Sequence, residues 1–316
     1  MKTKSIVFIL LILNSLPLYS FANTSILSGF FDITFSKTFK KNTKNFNMSS
    51  NHYEFGTGGD INNKFSYEVS IAIEGDETNA EGLITYNVNK NFELHFGIFD
   101  IPTGIDYYYL DAPVNKFITT TNITNIFYDG GWTEYGILAE YHSPNLNFKS
   151  FVVNSQFDKI AFGTNIEFYF YNKSFFEISY NKDSDSSGDN YIYNINTGVN
   201  LNYNDFVFIT EFSKQKIQNI IPSDKVYENN KNGFYFTLIY NNLLKNITDK
   251  VLFAGIRYNS KIKEKNKIEN IEEQYNHKST ISFLAGYEIK ENSLIKIEYC
   301  SHNSDNILLM QIAVSF

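Results

Sequence analysis

Carboxylates recur at one parity of short alternating segments in this chain. Glu68 and Glu74 belong to the set that alternates with Phe65, Tyr67, Val69, Ile71 and Ile73. Glu93 lies between Phe92 and Leu94, Glu167 opposite Ile166 and Phe168, and Glu288 opposite Ile281, Phe283 and Tyr287. A helix would wind such residues around its surface, whereas a strand collects them on one side. Stacked strands of this kind present a wall of carboxylates, and such a wall facing water attracts cations and repels anions.

Other chemistry finds little footing. Ser301, His302, Asn303 and Ser304 stand together in a segment read as a short polar loop. They offer no positioned base and nucleophile, so no enzyme activity is expected. The five histidines (His52, His95, His142, His277 and His302) are dispersed, without the spacing of a metal site. Gly58 and Gly59 sit in strand or turn context and do not open a helix, so they are not a phosphate cradle. Cys300 is the single cysteine and cannot close an intramolecular disulfide. Neither cofactor nor metal is expected.

The elements that must position the carboxylates are strands. The chain has 30 Phe and 23 Tyr, yet its mean hydropathy is −0.27. After Ala22 no apolar run approaches the roughly 18–20 residues that a spanning helix requires. An aromatic chain that is polar on average distributes its apolar residues by alternation. Tyr191, Tyr193, Ile195, Thr197, Val199, Leu201 and Tyr203 share one parity, with Asn194, Asn196, Gly198, Asn200 and Asn202 on the other. That is the pattern of a strand with lipid on one side and water on the other, aromatic at both ends.

Short, mostly Asn- or Asp-rich breaks fall at 62–64, 89–91, 144–146, 171–173, 204–205, 241–249 and 290–292. Such residues tolerate tight hairpin turns. Between them lie connections near 40–51, 75–79, 103–131, 154–158, 183–190, 214–231, 260–276 and 301–305. Short turns alternating with longer loops are the asymmetry of an outer-membrane barrel. The fold expected is therefore all-β: a transmembrane antiparallel β-barrel of about sixteen strands, with fourteen as the other count.

Residues 1–22 read as an export signal, with Lys2 and Lys4 ahead of an apolar stretch and Ser20-Phe21-Ala22 as the cleavage site. No Cys follows the stretch, which excludes the lipid-anchored kind of signal. Residues 23–316 then form a single barrel domain. Removing the leader takes two of 27 basic residues and none of 34 acidic ones, so the mature charge is 25 − 34 = −9. Nucleic acid asks for a basic face and is not an expected partner.

The final segment, NILLMQIAVSF, puts Leu308, Met310, Ile312, Val314 and Phe316 on one face and ends on an aromatic residue. It resembles the C-terminal signal read by the bacterial barrel-assembly machinery. Residues 80–141 carry a second resemblance. The segment AEGLITYNVNKNFELHFGIFDIPTG is similar to the strand–turn–strand of the phosphate-selective porin family, with Gly97 and a Pro-x-Gly at Pro102 and Gly104. The resemblance implies that residues 103–131, the third long loop, fold into the barrel as its constriction. It also implies basic residues along the pore. There the chain departs, carrying Ile98 and Asp100 at such positions and one Arg in total, Arg257.

Placing the aromatic parity toward lipid gives a water-facing set. Its acidic members are Asp32, Glu54, Glu68, Glu74, Glu93 and Glu134, followed by Glu140, Glu167, Glu177, Glu211, Glu288 and Glu298. The bases on that face are Arg257, Lys296 and Lys149. In the third loop Asp106, Asp111 and Asp129 outnumber Lys116. Tyr107, Tyr108 and Tyr109 either anchor the loop to the wall or line an eyelet. The expectation is an outer-membrane porin of a Gram-negative bacterium, passing small solutes and ions with a mild preference for cations. The alternative is a plugged structural or adhesive barrel. Its surroundings would be outer-membrane lipid and the assembly machinery, and the apolar wall is compatible with a homotrimer.

Overall fold

The computed structural model describes residues 25–40, 43–74, 77–109, 112–128, 131–155, 159–185, 190–221, 225–243, 251–268, 271–290, 293–302 and 305–316. The export signal expected at 1–22 lies outside them.

The chain forms one antiparallel sheet closed on itself. Its strands are β1 (Ser25–Lys40), β2 (Thr43–Asn62), β3 (Phe65–Glu74), β4 (Glu77–Asn89), β5 (Phe92–Asp100) and β6 (Thr133–Ser143). There follow β7 (Leu146–Asn154), β8 (Ile160–Tyr171), β9 (Ser174–Ser184), β10 (Tyr191–Tyr203), β11 (Phe206–Ile221) and β12 (Lys225–Tyr240). The last six are β13 (Val251–Asn259), β14 (Lys263–Ile268), β15 (Ile271–Asn276), β16 (Thr280–Lys290), β17 (Ser293–His302) and β18 (Asp305–Ser315). β1 pairs with both β2 and β18, from Phe30↔Ser315 to Phe39↔Asn306, so the sheet has no free edge.

Eighteen segments make sixteen staves. β13 and β14 both pair with β12, end to end, while β13 also pairs with β16 and β14 with β15. Each of these two staves is broken once, so the count is 18 − 2 = 16. At the break, Ser260 keeps the ladder satisfied: its N–H donates to the Phe234 carbonyl at 2.9 Å and its Oγ accepts from Phe234 N–H at 2.8 Å. Ile262, fully buried, turns onto Gly233, where a Cβ would meet it at 2.2 Å.

The two faces divide as the alternation requires. On β8 to β11, Asn165, Glu167, Glu177, Ser179, Asn181, Asn194, Asn196 and Glu211 are buried, while Phe162, Phe168, Phe176, Ile178, Ile195 and Phe212 are exposed. In a soluble sandwich the exposed face would be the polar one. An exposed aromatic and aliphatic belt around a closed sheet is the outer surface of a barrel whose solvent is lipid.

The sequence places long connections at 40–51, 214–231 and 260–276, and here the structure differs. The ladders continue to Lys40↔Thr43, Ile221↔Lys225 and Ile268↔Ile271. Beyond the apolar belt both faces of a ribbon meet water. Backbone groups still gain by pairing, but no face is compelled to be apolar, so the period-two signal fades while the strand goes on.

Candidate functional site

The connection between β5 and β6 is the part of the chain that leaves the wall. It contains a 3-10 turn at Asp106–Tyr109 and a short helix, α1 (Asn122–Phe127), whose N-cap Thr121 accepts from Thr124 N–H through its side chain. Its contacts run along the inward parity of the wall from β7 to β17.

At its start, Gly104 and Ile105 sit on β9 and β11. Gly104 N–H donates to Ser179 Oγ at 3.1 Å and Ile105 N–H to Glu211 Oε2 at 3.0 Å. The Tyr235 hydroxyl lies 2.8 Å from Asp106 Oδ1 and 3.2 Å from Glu211 Oε2. Asp106 also accepts from the hydroxyls of Thr121 and Thr124, which ties the turn to the helix. Ile105, Ile123 and Phe127 pack with Phe175, Ile209, Tyr235 and Ile262 in one apolar cluster. A loop inside a polar barrel needs such an anchor, because its hydrogen bonds alone repay only part of its ordering.

The tyrosine triplet is part of the anchoring. Tyr108 donates to Glu167 and accepts from Lys149 Nζ at 3.0 Å. The Tyr109 hydroxyl accepts from Asn200 at 2.7 Å. Lys149 Nζ stands 5.2 Å from the Tyr107 ring centre and 4.9 Å from that of Tyr108.

The middle of the loop is held by four charged wall residues. Lys296, fully buried, donates to the carbonyls of Ala112 and Asn115 at 2.9 and 2.8 Å. Glu298 accepts from Ile118 and Thr119 N–H at 2.7 and 2.9 Å and from the Thr119 hydroxyl at 2.6 Å. Arg257 donates to Thr119 O at 2.6 Å and lies 4.0 Å from the Phe117 ring centre. Lys116 pairs with Glu288 at 2.9 Å. At the end of α1, Gln215 donates to Phe127 O at 2.9 Å and Lys231 to Ile126 O at 3.0 Å.

The expected water-facing residues therefore separate into two groups. Glu167, Glu211, Glu288, Glu298, Lys296 and Arg257 hold the loop, and Glu177 is buried against Asn165, whose amide donates to it at 2.9 Å. Arg257 itself meets a loop carbonyl and the Phe117 ring. On the other side the loop leaves the wall uncovered. Glu68 is exposed there, and the Glu54 and Glu93 side chains are about a third exposed. Asp32 is buried, accepting from Gln311 at 3.2 Å and Thr34 at 3.3 Å, and Glu134 is half-buried on the inward parity.

Histidines join this open sector. His95 Nε2 lies 3.5 Å from Glu140 and 3.7 Å from Glu93, with its Nδ1 2.9 Å from the Thr85 hydroxyl. Glu140 is shared with His142 at 3.7 Å and Lys149 at 3.3 Å. His52 stands 3.7 Å from Glu54. Glu74 pairs in register with His52, but its side chain, like Asp111 and Asp129, lies outside the described residues. Among the described residues no set of three His, Cys, Asp or Glu side chains has metal-ligand geometry.

The C-terminal residues lie where the alternation puts them. Leu308 and Met310 are exposed on the outward parity, with Ile312 and Val314 half-buried beside them, while Gln311 and Ala313 are buried on the other. Phe316 extends the closing ladder by two bonds with Gly29, at 3.0 and 3.2 Å. Cys300 is buried on the inward parity beside Ser282 and Glu298.

Several site residues carried no sequence signal of their own. Tyr235, Ser179 and Lys231 meet the loop only through long-range pairing. The asparagines of β10 were visible as a polar face, but not as partners of the loop.

This geometry has solved counterparts. OmpT, an outer-membrane protein of Vibrio cholerae in a trimer form, is 10% identical with a TM-score of 0.63, covering 93% of this chain and 100% of its own. OmpF of Salmonella typhi, in complex with daunomycin, is 13% identical with a TM-score of 0.62, over 94% and 99% of the two chains. The outer-membrane channel DcaP of Acinetobacter baumannii is 10% identical with a TM-score of 0.64, over 92% and 97%. The likeness is one of fold. No protein-family model matches the chain, and no curated protein matches it significantly.

Proposed function

We propose that this chain is an outer-membrane porin: a water-filled channel for passive diffusion of small solutes and ions in a Gram-negative bacterium. The observation that carries this reading is the one-sided seat of the third loop. It is fastened to β7 through β17 and leaves Glu54, Glu68 and Glu93 on the far wall open to water. A loop placed in this way narrows a barrel without filling it, and we assign it the role of constriction.

Two of the solved structures of like fold support the reading, since one is described as an outer-membrane protein and the other as an outer-membrane channel. Export by cleavage after Ala22, assembly through the C-terminal strand and association as a trimer belong to the same proposal. The open sector carries more carboxylates than fixed cations, so the channel mildly prefers cations. The basic pore of the phosphate-selective family has no counterpart here, because Arg257 and Lys296 are spent on the loop.

Planar-bilayer recording under a potassium chloride gradient tests this. Discrete steps with a reversal potential on the cation side are expected. Steps on the anion side would remove the selectivity and keep the channel. Absence of steps from a folded, heat-modifiable barrel would favour a plugged structural or adhesive barrel.

A further inference from the structure

The outward face of the barrel changes character at the upper edge of its apolar belt. Along β11 the outward parity runs Phe206, Phe208, Thr210 and Phe212, then Lys214 and Lys216. Pairing carries both lysines across the sheet. Lys214 is in register with Asn232 and that with Lys263, while Lys216 is in register with Asn230 and that with Lys265. The second row also reaches Tyr193 on β10 and Lys182 on β9, and a third row holds Lys267 beside Glu228. On the outward parity of β9 to β12, β14 and β15, six lysines thus stand with two carboxylates among the described residues, Glu228 and Glu272. The acids Glu177, Glu211 and Glu264 take the inward parity of the same strands. The chain has 27 basic and 34 acidic residues, so a basic outward face runs against its composition.

The height of this face on the wall fixes what it meets. Phe212, Phe234 and Phe236 are exposed on the belt directly below it. Tyr191 and Tyr193 stand level with the lysines, and Lys216 Nζ lies 5.5 Å from the Tyr191 ring centre. Tyrosines at the end of an apolar belt mark the level where hydrocarbon gives way to headgroups. Lysine stems lie along such a belt while their ammonium groups reach the polar layer. By sheet spacing, Lys214, Lys216, Lys263 and Lys265 frame Asn230 and Asn232 in a rectangle of about 10 by 7 Å. Lys216 pairs with Glu228 at 3.6 Å and Lys265 with Glu272 at 3.0 Å, surface pairs that offset little. Lys214 and Lys263 are exposed and have no ion-pair partner among the described residues. We propose that this face docks the phosphate-bearing headgroup of an outer-leaflet lipid, whose acyl chains lie on the phenylalanines below. A soluble anion would draw nothing from that belt. The leaflet rests on the outer-membrane reading, in which the longer connections are extracellular.

The folded barrel, in an uncharged detergent, is titrated under native mass spectrometry with dioleoylphosphatidic acid and with dioleoylphosphatidylcholine, which share acyl chains and differ in headgroup. Phosphatidic acid should bind at a concentration at least roughly tenfold lower. Lys214→Gln, Lys263→Gln and Lys265→Gln together should abolish that preference. The same exchange at Lys64, Lys90 and Lys173, on the short turns, should leave it. Equal binding of the two lipids overturns the proposal, and so does equal loss in both variants. Displacement of phosphatidic acid by an equal concentration of inorganic pyrophosphate would mean a soluble-phosphate site and also overturns it. Should the triple variant fail to fold, Lys214→Gln alone should weaken the preference severalfold, and an unchanged preference overturns it. Lys267→Cys on intact cells should react with a membrane-impermeant maleimide; reaction only after the outer membrane is opened overturns the leaflet. Conductance without lipid preference keeps the channel and removes the docking face. Lipid preference without conductance keeps the docking face and removes the channel.

Discussion

Gly104 lies so close to Glu211 that a Cβ at position 104 would stand 2.2 Å from the carboxylate Oε1. The glycine also has φ +74°, in the left-handed region. Both facts serve the third loop: the chain leaves β5, reverses, and lays two consecutive N–H groups on Ser179 and Glu211. Gly104→Ala therefore meets two penalties, about 1–2 kcal/mol for the backbone and a displaced carboxylate. The expected result is a loosened loop, read as larger and noisier unit conductance and faster proteolysis within 103–131. Conductance and proteolysis like those of the native chain would show that the loop is held elsewhere.

Glu298 is the acceptor for three donors of the loop. Glu298→Ala leaves the Ile118 and Thr119 N–H groups without it, at a cost of about 1–3 kcal/mol. Glu298→Gln keeps an oxygen for them and an amide for the Thr119 hydroxyl. The alanine variant should show raised conductance with subconductance states, and the glutamine variant a smaller change in the same direction. Equal effects would mean that charge, and not hydrogen bonding, sets the loop.

The two groups of carboxylates should separate in electrophysiology. Replacing Glu54, Glu68 and Glu93 together by Gln removes water-facing charge and is expected to move the reversal potential toward the anion side with little change in conductance. Glu167→Gln, at a residue held against Tyr108, should alter conductance more than selectivity. The opposite pattern would place the ion path on the β8–β17 side of the loop.

Phe316 extends the ladder that closes the barrel. Phe316 exchanges two backbone bonds with Gly29, and its ring covers the glycine and reaches Phe55, with centroids 6.1 Å apart. An aromatic side chain laid over a strand glycine replaces packing the glycine lacks. Deleting Phe316 should lower the yield of folded barrel and the temperature at which heat-modifiability is lost, whereas Phe316→Tyr should preserve both. A deletion with native yield and melting would show that closure is complete without it.

The sequence by itself determined the barrel. Period-two alternation over β3, β8, β10 and β16 follows from lipid on one face and water on the other, and both demands act on single residues, so they are written locally. The sixteen staves and the parity of Glu167, Glu211 and Lys296 were legible for that reason, while the inward course of residues 103–131 came only from the resemblance to the phosphate-selective porin family. Strand ends were not, because the ribbons beyond Phe46 and Gln215 are wet on both faces and lose the period. Only the tertiary structure decided which inward charges face water. Glu298 and Glu68 share a parity signal, yet one binds a backbone 179 residues away in sequence and the other is left exposed. That difference arises when a loop chooses a side of a closed wall, a long-range choice that no window of sequence contains.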